Sequence, residues 1–282
     1  MKKKAGEKMS RRYLYVANIA GTGPKILAKM FAAQNLAPNA TWIFAGNIVD
    51  GKANNIMTIN MVNNWVSQWH AVALWGPREI MLSDFISGRS DVWFDDLGKA
   101  YLKEALGGRV LDNINIARDL MQHQALILWL LNHLRRVYVS DRVIFARNGV
   151  YLNQDYSQTP LDFAVNATDS YWWSPGSKNF AYNQTGKLVV TSLDHPSEIY
   201  GTYYNSNGQV IHGPLSDQSF GIQYEQEQPR LILKRGTKYD VNSKADLPII
   251  YLIDDQQGLV GALWWLHEWV YVNTVKFGGG FC

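Results

Sequence analysis

The chain has 282 residues, of which 47% are hydrophobic and 18% charged, a composition typical of a globular protein with a sizeable core. Its formal net charge of +3 does not indicate a nucleic-acid-binding face, because six of the first twelve residues are basic and only one is acidic. A single cysteine excludes an internal disulfide framework and a cysteine-based metal site. No stretch is long and apolar enough for a transmembrane helix, and no apolar segment typical of a secretory signal follows the basic N-terminus, so we expect a cytoplasmic protein.

A basic tail at residues 1–11, expected to be flexible, is followed by alternating strand and helix patterns. Apolar runs predict strands at 12–17, 41–45 and 70–75, and apolar residues at helical spacing predict helices at about 24–34 and 55–69. Pro24 stands where the first residue of a helix is expected. This βαβαβ order implies parallel strands with right-handed crossovers, so the carboxyl ends of the three strands are expected at one edge of a sheet.

The pattern then changes twice. Leucine, isoleucine and tyrosine recur at helical spacing between about residues 92 and 138, which predicts a helical insertion. Strand patterns return at 142–146, 187–191, 209–212, 230–234, 248–253 and 259–266. We therefore expect a single α/β domain over residues 12–282.

Three stretches read as an apolar strand that runs into a glycine-containing turn. They are Tyr-Val-Ala-Asn-Ile-Ala-Gly at 15–21, Ile-Phe-Ala-Gly-Asn-Ile-Val-Asp at 43–50 and Ala-Leu-Trp-Gly-Pro-Arg-Glu at 73–79. Their order and spacing resemble the calcineurin-like metallophosphoesterases, in the branch of serine/threonine protein phosphatases and diadenosine tetraphosphatases. That family carries Gly-Asp-x-His-Gly, Gly-Asp-x-x-Asp-Arg-Gly and Gly-Asn-His-Glu at these places.

Weaker matches extend the resemblance over about residues 12–265. The segment at 143–150 is similar to the family's strand ending in His-Ala-Gly, the segment at 187–194 to the strand ending in Gly-His-Thr-Pro, and the segment at 250–261 to the closing strand pair. The resemblance implies a calcineurin-like sandwich, in which two mixed β-sheets pack face to face and helices flank them. The predicted helical insertion would then lie over the active-site face.

The resemblance also implies that the metal site is degenerate. The positions of the family's metal ligands correspond to Asn18, Ala20, Asn47, Pro77, Arg147 and Leu193, and Arg78 stands at the position of the catalytic histidine. Alanine, proline and leucine have no side-chain ligand atom, and arginine remains protonated and repels a cation. We therefore expect no metal cofactor and a catalytically inactive protein with a binding, regulatory or structural role.

Two other functions stay open at this point. An active phosphoesterase requires a displaced or atypical metal site. A metal-free phosphate or nucleotide sensor would hold its anion with Arg78 and Arg147, beside Asn18, Asn47 and His195. Against the sensor, the two arginines are equally suited to internal salt bridges with Asp50, Glu79 or Asp254, and the two asparagines to ordinary turns.

The expected partner is a phosphate-containing small molecule or another protein, with no nucleic acid and no membrane. The aromatic cluster Tyr171-Trp172-Trp173, in a predicted loop, fits either a binding surface or core packing.

Overall fold

The computed structural model describes most of the first two thirds of the chain and a set of strands after it. The described residues are 10–16, 19, 24–49, 54–151, 155–166, 185–193, 200–204, 210–214, 221–225, 228–234, 248–255, 258–264 and 269–271. The strands are β1 (Arg12–Val16), β2 (Thr41–Phe44), β3 (Val72–Ala73), β4 (Val137–Val139), β5 (Val143–Ala146), β6 (Leu188–Leu193), β7 (Tyr200–Tyr204), β8 (Val210–Pro214), β9 (Gly221–Glu225), β10 (Gln228–Lys234), β11 (Pro248–Asp254), β12 (Gly258–Trp264) and β13 (Trp269–Tyr271). The helices are α1 (Pro24–Leu36), α2 (Asn55–Gln68), α3 (Pro77–Ile86), α4 (Lys99–Ala105), α5 (Ile114–Gln122), α6 (Ala125–His133) and α7 (Leu161–Asn166), with a π-helical turn at Phe94–Gly98.

Two mixed sheets carry the fold. The first has six strands in the order β13-β12-β11-β1-β2-β3, in which β1, β2 and β3 are parallel and β11 is antiparallel to β1. The second has five strands in the order β4-β5-β6-β10-β9, in which β5, β6 and β10 are parallel. Strands β7 and β8 form a separate antiparallel pair. The parallel strands predicted in the first half of the chain are confirmed.

The alternation of residues along β1 explains the layered core. Tyr13 and Tyr15 point into the layer between the two sheets, where they pack with Phe145 of β5. Leu14 and Val16 point to the opposite face, which the helices cover. Successive side chains of a strand face opposite sides of its sheet, so one strand can serve both layers.

The helical region differs in detail from the expectation. Its helices end at His133, and the last residues of the predicted insertion instead form β4, which pairs antiparallel with β5. The β-branched and aromatic run Val137–Val139 favours a strand over a helix. Helix α3 was not predicted at all, although Pro77 at its first position and Glu79 in its first turn are helix-start signals. Within the described helices, none has the length and apolarity that crossing a bilayer requires.

Candidate functional site

The predicted site lies where strand ends from both sheets meet. Strands β1, β2 and β3 are parallel neighbours, so their carboxyl ends share one edge of the first sheet. From the second sheet, Arg147 directly follows β5, and its Nη1 donates a hydrogen bond to the carbonyl oxygen of Ala45, directly after β2. The carboxyl ends of β2 and β5 therefore face each other across the sandwich, the arrangement in which α/β proteins place their ligand sites.

The fully buried Glu79 joins α3 to the loop after β2. Its Oε2 accepts a hydrogen bond from Asn47 N–H at 2.9 Å, and its Oε1 accepts from Ile48 N–H at 2.6 Å and Val49 N–H at 2.9 Å. Successive backbone N–H groups of this kind form a concavity that attracts anions. Here the carboxylate of Glu79 accepts hydrogen bonds from all three N–H groups.

Two glycines allow the loops after β2 and β3 to touch. Gly46 has φ +73, and a Cβ atom there would lie 2.7 Å from the Cα and N atoms of Gly76. A Cβ atom on Gly76 would in turn lie 2.6 Å from Asn47 N and from Glu79 Oε2. Asn47 itself has φ 54, a left-handed conformation that asparagine tolerates better than most residues. The contact thus requires glycine on both sides.

The main chain of Arg147 is tied to β6 and, through it, to β1. Ser192 N–H donates to the Arg147 carbonyl oxygen at 2.9 Å, and Ser192 Oγ lies 3.3 Å from the same oxygen. Tyr15 Oη donates to Ser192 Oγ at 2.9 Å. All three residues are fully buried. This network fixes the point from which the Arg147 side chain crosses to the end of β2.

The charges of Arg147 and Glu79 act on each other at this edge. Burial raises the pKa of Glu79 above its ordinary value of 4.5, because the carboxylate loses its hydration. The hydrogen bond from Val49 N–H, the positive charge of Arg147 and the hydrogen bonds from Asn47 and Ile48 oppose that rise in pKa. The charge of Arg147 therefore favours the ionised form of Glu79.

The raised pKa of Glu79 predicts a specific pH dependence. In the folded chain Glu79 keeps its proton at pH values where the unfolded chain has already lost it. Its contribution to stability is therefore complete below pH 4.5 and is lost as the pH rises through the folded-state pKa. In urea unfolding at a series of pH values, Glu79→Gln should lack this decrease, because its amide does not titrate. The same pH slope in the wild type and the variant would contradict the assignment.

The structure brings together some of the predicted site residues. Three of them lie at the shared edge. Asn47 N–H donates to Glu79, and Arg147 donates to the carbonyl oxygen of Ala45. Pro77 directly follows Gly76, whose backbone closely approaches Gly46. Arg78 is half-buried in the first turn of α3, and its Nη1 lies 3.9 Å from Met81 Sδ. Leu193 is the last residue of β6.

Four predictions fall on residues outside the described part of the chain. They concern Asn18, Ala20, His195 and the Tyr171-Trp172-Trp173 cluster. Asp50, one of the suggested partners of the arginines, also lies outside it.

Sequence reasoning overlooked the structural role of Glu79. At residues 76–79, this chain shares only the glycine and the glutamate of the family's Gly-Asn-His-Glu stretch. A glutamate beside Arg78, which stands at the position that the resemblance gives to a histidine, was an available signal of a structural role. The Tyr15–Ser192 contact left no such signal, because the two residues are 177 positions apart in the sequence.

Comparison with known proteins identifies the fold. No protein-family model matches the sequence, and no curated protein is similar to it in sequence. Among solved structures, a presumed diadenosine tetraphosphatase superposes with a TM-score of 0.50 at 11% identity, over 97% of this chain and 96% of that one. A point mutant of a cold-active protein tyrosine phosphatase also gives 0.50, at 10% identity over 94% of this chain and 81% of that one.

A metallophosphoesterase from Sphaerobacter thermophilus is more distant, with a TM-score of 0.43 at 13% identity over 96% of this chain and 90% of that one. Together with the two mixed sheets and their flanking helices, the superpositions over nearly the whole chain show the calcineurin-like metallophosphoesterase fold. The fold expected from the sequence is confirmed.

Proposed function

We propose that this protein is a catalytically inactive protein on the phosphoesterase fold, with a binding, regulatory or structural role. The observation that carries the proposal is the fully buried guanidinium of Arg147 at the carboxyl end of β5. In the sequence resemblance, Arg147 corresponds to a metal-binding histidine. A permanently charged group that donates to Ala45 and lies near Glu79 gives this edge a cation of its own.

The donor chemistry at this edge does not fit two divalent metal ions. Binuclear phosphoesterase chemistry needs several anionic or imidazole ligands that hold two metals close together. Among the described positions, Asn47 brings a neutral amide, Pro77 brings no side-chain donor atom, and Arg147 brings a cation with no lone pair to share. Glu79 is a carboxylate, but it already accepts three backbone hydrogen bonds.

A hydrolase assay tests the proposal against the alternative of an active phosphoesterase. We expect no hydrolysis of p-nitrophenyl phosphate above the buffer rate, with Mn²⁺, Zn²⁺ or Mg²⁺ added, because metal-activated water is what the reaction requires. Chelator-sensitive turnover would favour a displaced metal site. The matched control is Arg78→Ala, since activity from a contaminating phosphatase would be the same in both preparations. Turnover that depends on Arg78 would overturn the proposal.

A metal-free anion sensor is the second candidate, and the position of Arg78 favours it. This guanidinium is half-buried in the first turn of α3, at the edge to which Arg147 also contributes a positive charge. An anion bound there would raise the melting temperature with concentration, according to the ratio of ligand concentration to dissociation constant. Inorganic phosphate should then stabilise the wild type and fail to stabilise Arg78→Ala. If millimolar phosphate does not change the melting temperature, Arg78 and Arg147 are structural residues.

A further inference from the structure

A groove opens at the opposite edge of the first sheet, at the amino ends of β1 and β2. It encloses about 800 Å³, which lies within the range of roughly 300–1,000 Å³ typical of small-molecule sites. Its lining includes Arg11, Arg12, Tyr13, Pro38, Asn39 and Tyr138. Two of these residues are arginines and none is acidic. The described lining therefore carries two positive charges, which carboxylates outside the lining partly balance, and the groove is separate from the edge that carries Arg147.

The two arginines of the groove are held in place but remain accessible. Arg11 N–H donates to Asp255 Oδ1 at 3.0 Å, and Asp255 N–H donates to the Arg11 carbonyl oxygen at 2.9 Å, so its main chain is fixed to the end of β11. The Arg11 side chain, 58% exposed, lies 3.5 Å from Asp141, and that of Arg12, 48% exposed, lies 3.5 Å from Asp254. Neither carboxylate lines the groove. Each arginine has five N–H donors, so a single ion pair at this distance leaves donors for a ligand.

Side-chain contacts restrain two of the remaining walls, and one of these walls offers an aromatic ring. Tyr138 on β4 is half-buried and packs edge-on against the buried Tyr13, with ring centroids 6.5 Å apart. The wall after α1 is fixed because Gln34 Nε2 donates to the Pro38 carbonyl oxygen at 2.6 Å. Phe145 also lies beside this ring, with centroids 6.2 Å apart, and the exposed Arg135 lies over it, with Cζ 6.0 Å from the centroid. A flat group on Tyr138 would therefore stack beside the Arg135 guanidinium.

We propose that this groove binds a small organic anion of nucleotide size, in which a phosphate or carboxylate is attached to a planar ring. The anionic group faces the guanidinium group of Arg11, which suits the bidentate recognition of such an oxyanion. The planar ring lies against Tyr138. The site does not depend on the proposed loss of catalysis, because none of its residues lies at the edge that carries Arg147.

Calorimetric titration of the full chain with AMP tests the site, with adenosine and inorganic phosphate as the ring-only and anion-only probes. AMP should bind more tightly than either. Arg11→Ala should weaken AMP binding about tenfold or more, which is the order expected for losing one charge-assisted hydrogen bond. The fold should survive, because the exposed Arg11–Asp141 pair contributes little to stability.

Asn39, exposed on the rim, supplies a matched pair of variants. Asn39→Glu adds a negative charge and should weaken AMP binding, whereas Asn39→Gln should not. Arg109→Ala, at an exposed arginine outside the groove lining, should leave AMP binding unchanged, which controls for the loss of a positive charge elsewhere on the chain. The proposal is overturned if AMP does not bind at millimolar concentration, or if it binds Arg11→Ala and Asn39→Glu as tightly as the wild type. If adenosine binds as tightly as AMP, the site does not recognise the anionic group. If inorganic phosphate binds as tightly as AMP, the site does not recognise the planar ring.

Discussion

Glu79→Ala should be the most destabilising single substitution at the edge that carries Arg147. It removes the acceptor of three backbone N–H groups and one negative charge near the buried Arg147. A buried donor without a partner costs about 1–3 kcal/mol, so we expect a loss of about 3 kcal/mol or more in the free energy of unfolding. Urea unfolding followed by circular dichroism measures the loss.

Glu104 supplies the control for this prediction. Its carboxylate accepts hydrogen bonds from Asn55 N–H at 3.0 Å and Ile56 N–H at 3.1 Å, at the start of α2, but it is only half-buried. Loss of a cap of this kind costs about 1 kcal/mol. Glu104→Ala should therefore be clearly milder than Glu79→Ala. Equal losses in the two variants would show that burial adds nothing to the role of Glu79.

Gly46→Ala should be the second large effect. An alanine there must adopt φ +73, which costs about 1–2 kcal/mol, and its Cβ would lie 2.7 Å from the Gly76 backbone. Overpacking of this kind adds about 1–3 kcal/mol, so the total loss should be about 3 kcal/mol. The measurement is again the midpoint and slope of urea unfolding.

Gly88 separates the two contributions to that loss. Its φ of +74 is nearly the same, but a Cβ atom there meets no atom within 4 Å. Gly88→Ala should therefore show only the conformational cost of about 1–2 kcal/mol. If both alanine variants lose the same free energy, the close approach of the loops after β2 and β3 is not a constraint.

The sequence correctly predicted the helices and strands in which apolar residues recur at a clear helical or strand spacing. The apolar strands and the helices between them predicted β1, α1, β2 and α2 to within a few residues, because one face of each is buried in a regular pattern. The strands β4, β7, β9 and β13 were missed, because glycine and polar residues interrupt β7 and β9 and the three residues of β4 and β13 show no periodicity. Helix α3 was missed because Gly76 before it and Pro77 at its first position were interpreted only as a turn.

The site was predictable in its location but not in its contacts. The strand ends that gather Asn47, Pro77 and Arg147 follow from the parallel order and the family resemblance. The acceptor of the Arg147 guanidinium is 102 residues away in the sequence, and the N–H donors to Glu79 are 30–32 residues away. Contacts at that separation depend on how two sheets pack, and no local pattern in the sequence specifies them.

The metal content of the purified protein tests the central claim most directly. After incubation with Mn²⁺, Fe²⁺ and Zn²⁺ and removal of free ions, elemental analysis should find no stoichiometric metal, because a buried guanidinium at the end of β5 opposes a cation there. Arg147→Ala should likewise retain none, since Asn47 and Pro77 supply no charged ligand. Two metal ions per chain, lost on substitution of Asn47, would contradict the account, because binuclear phosphoesterase chemistry requires that pair.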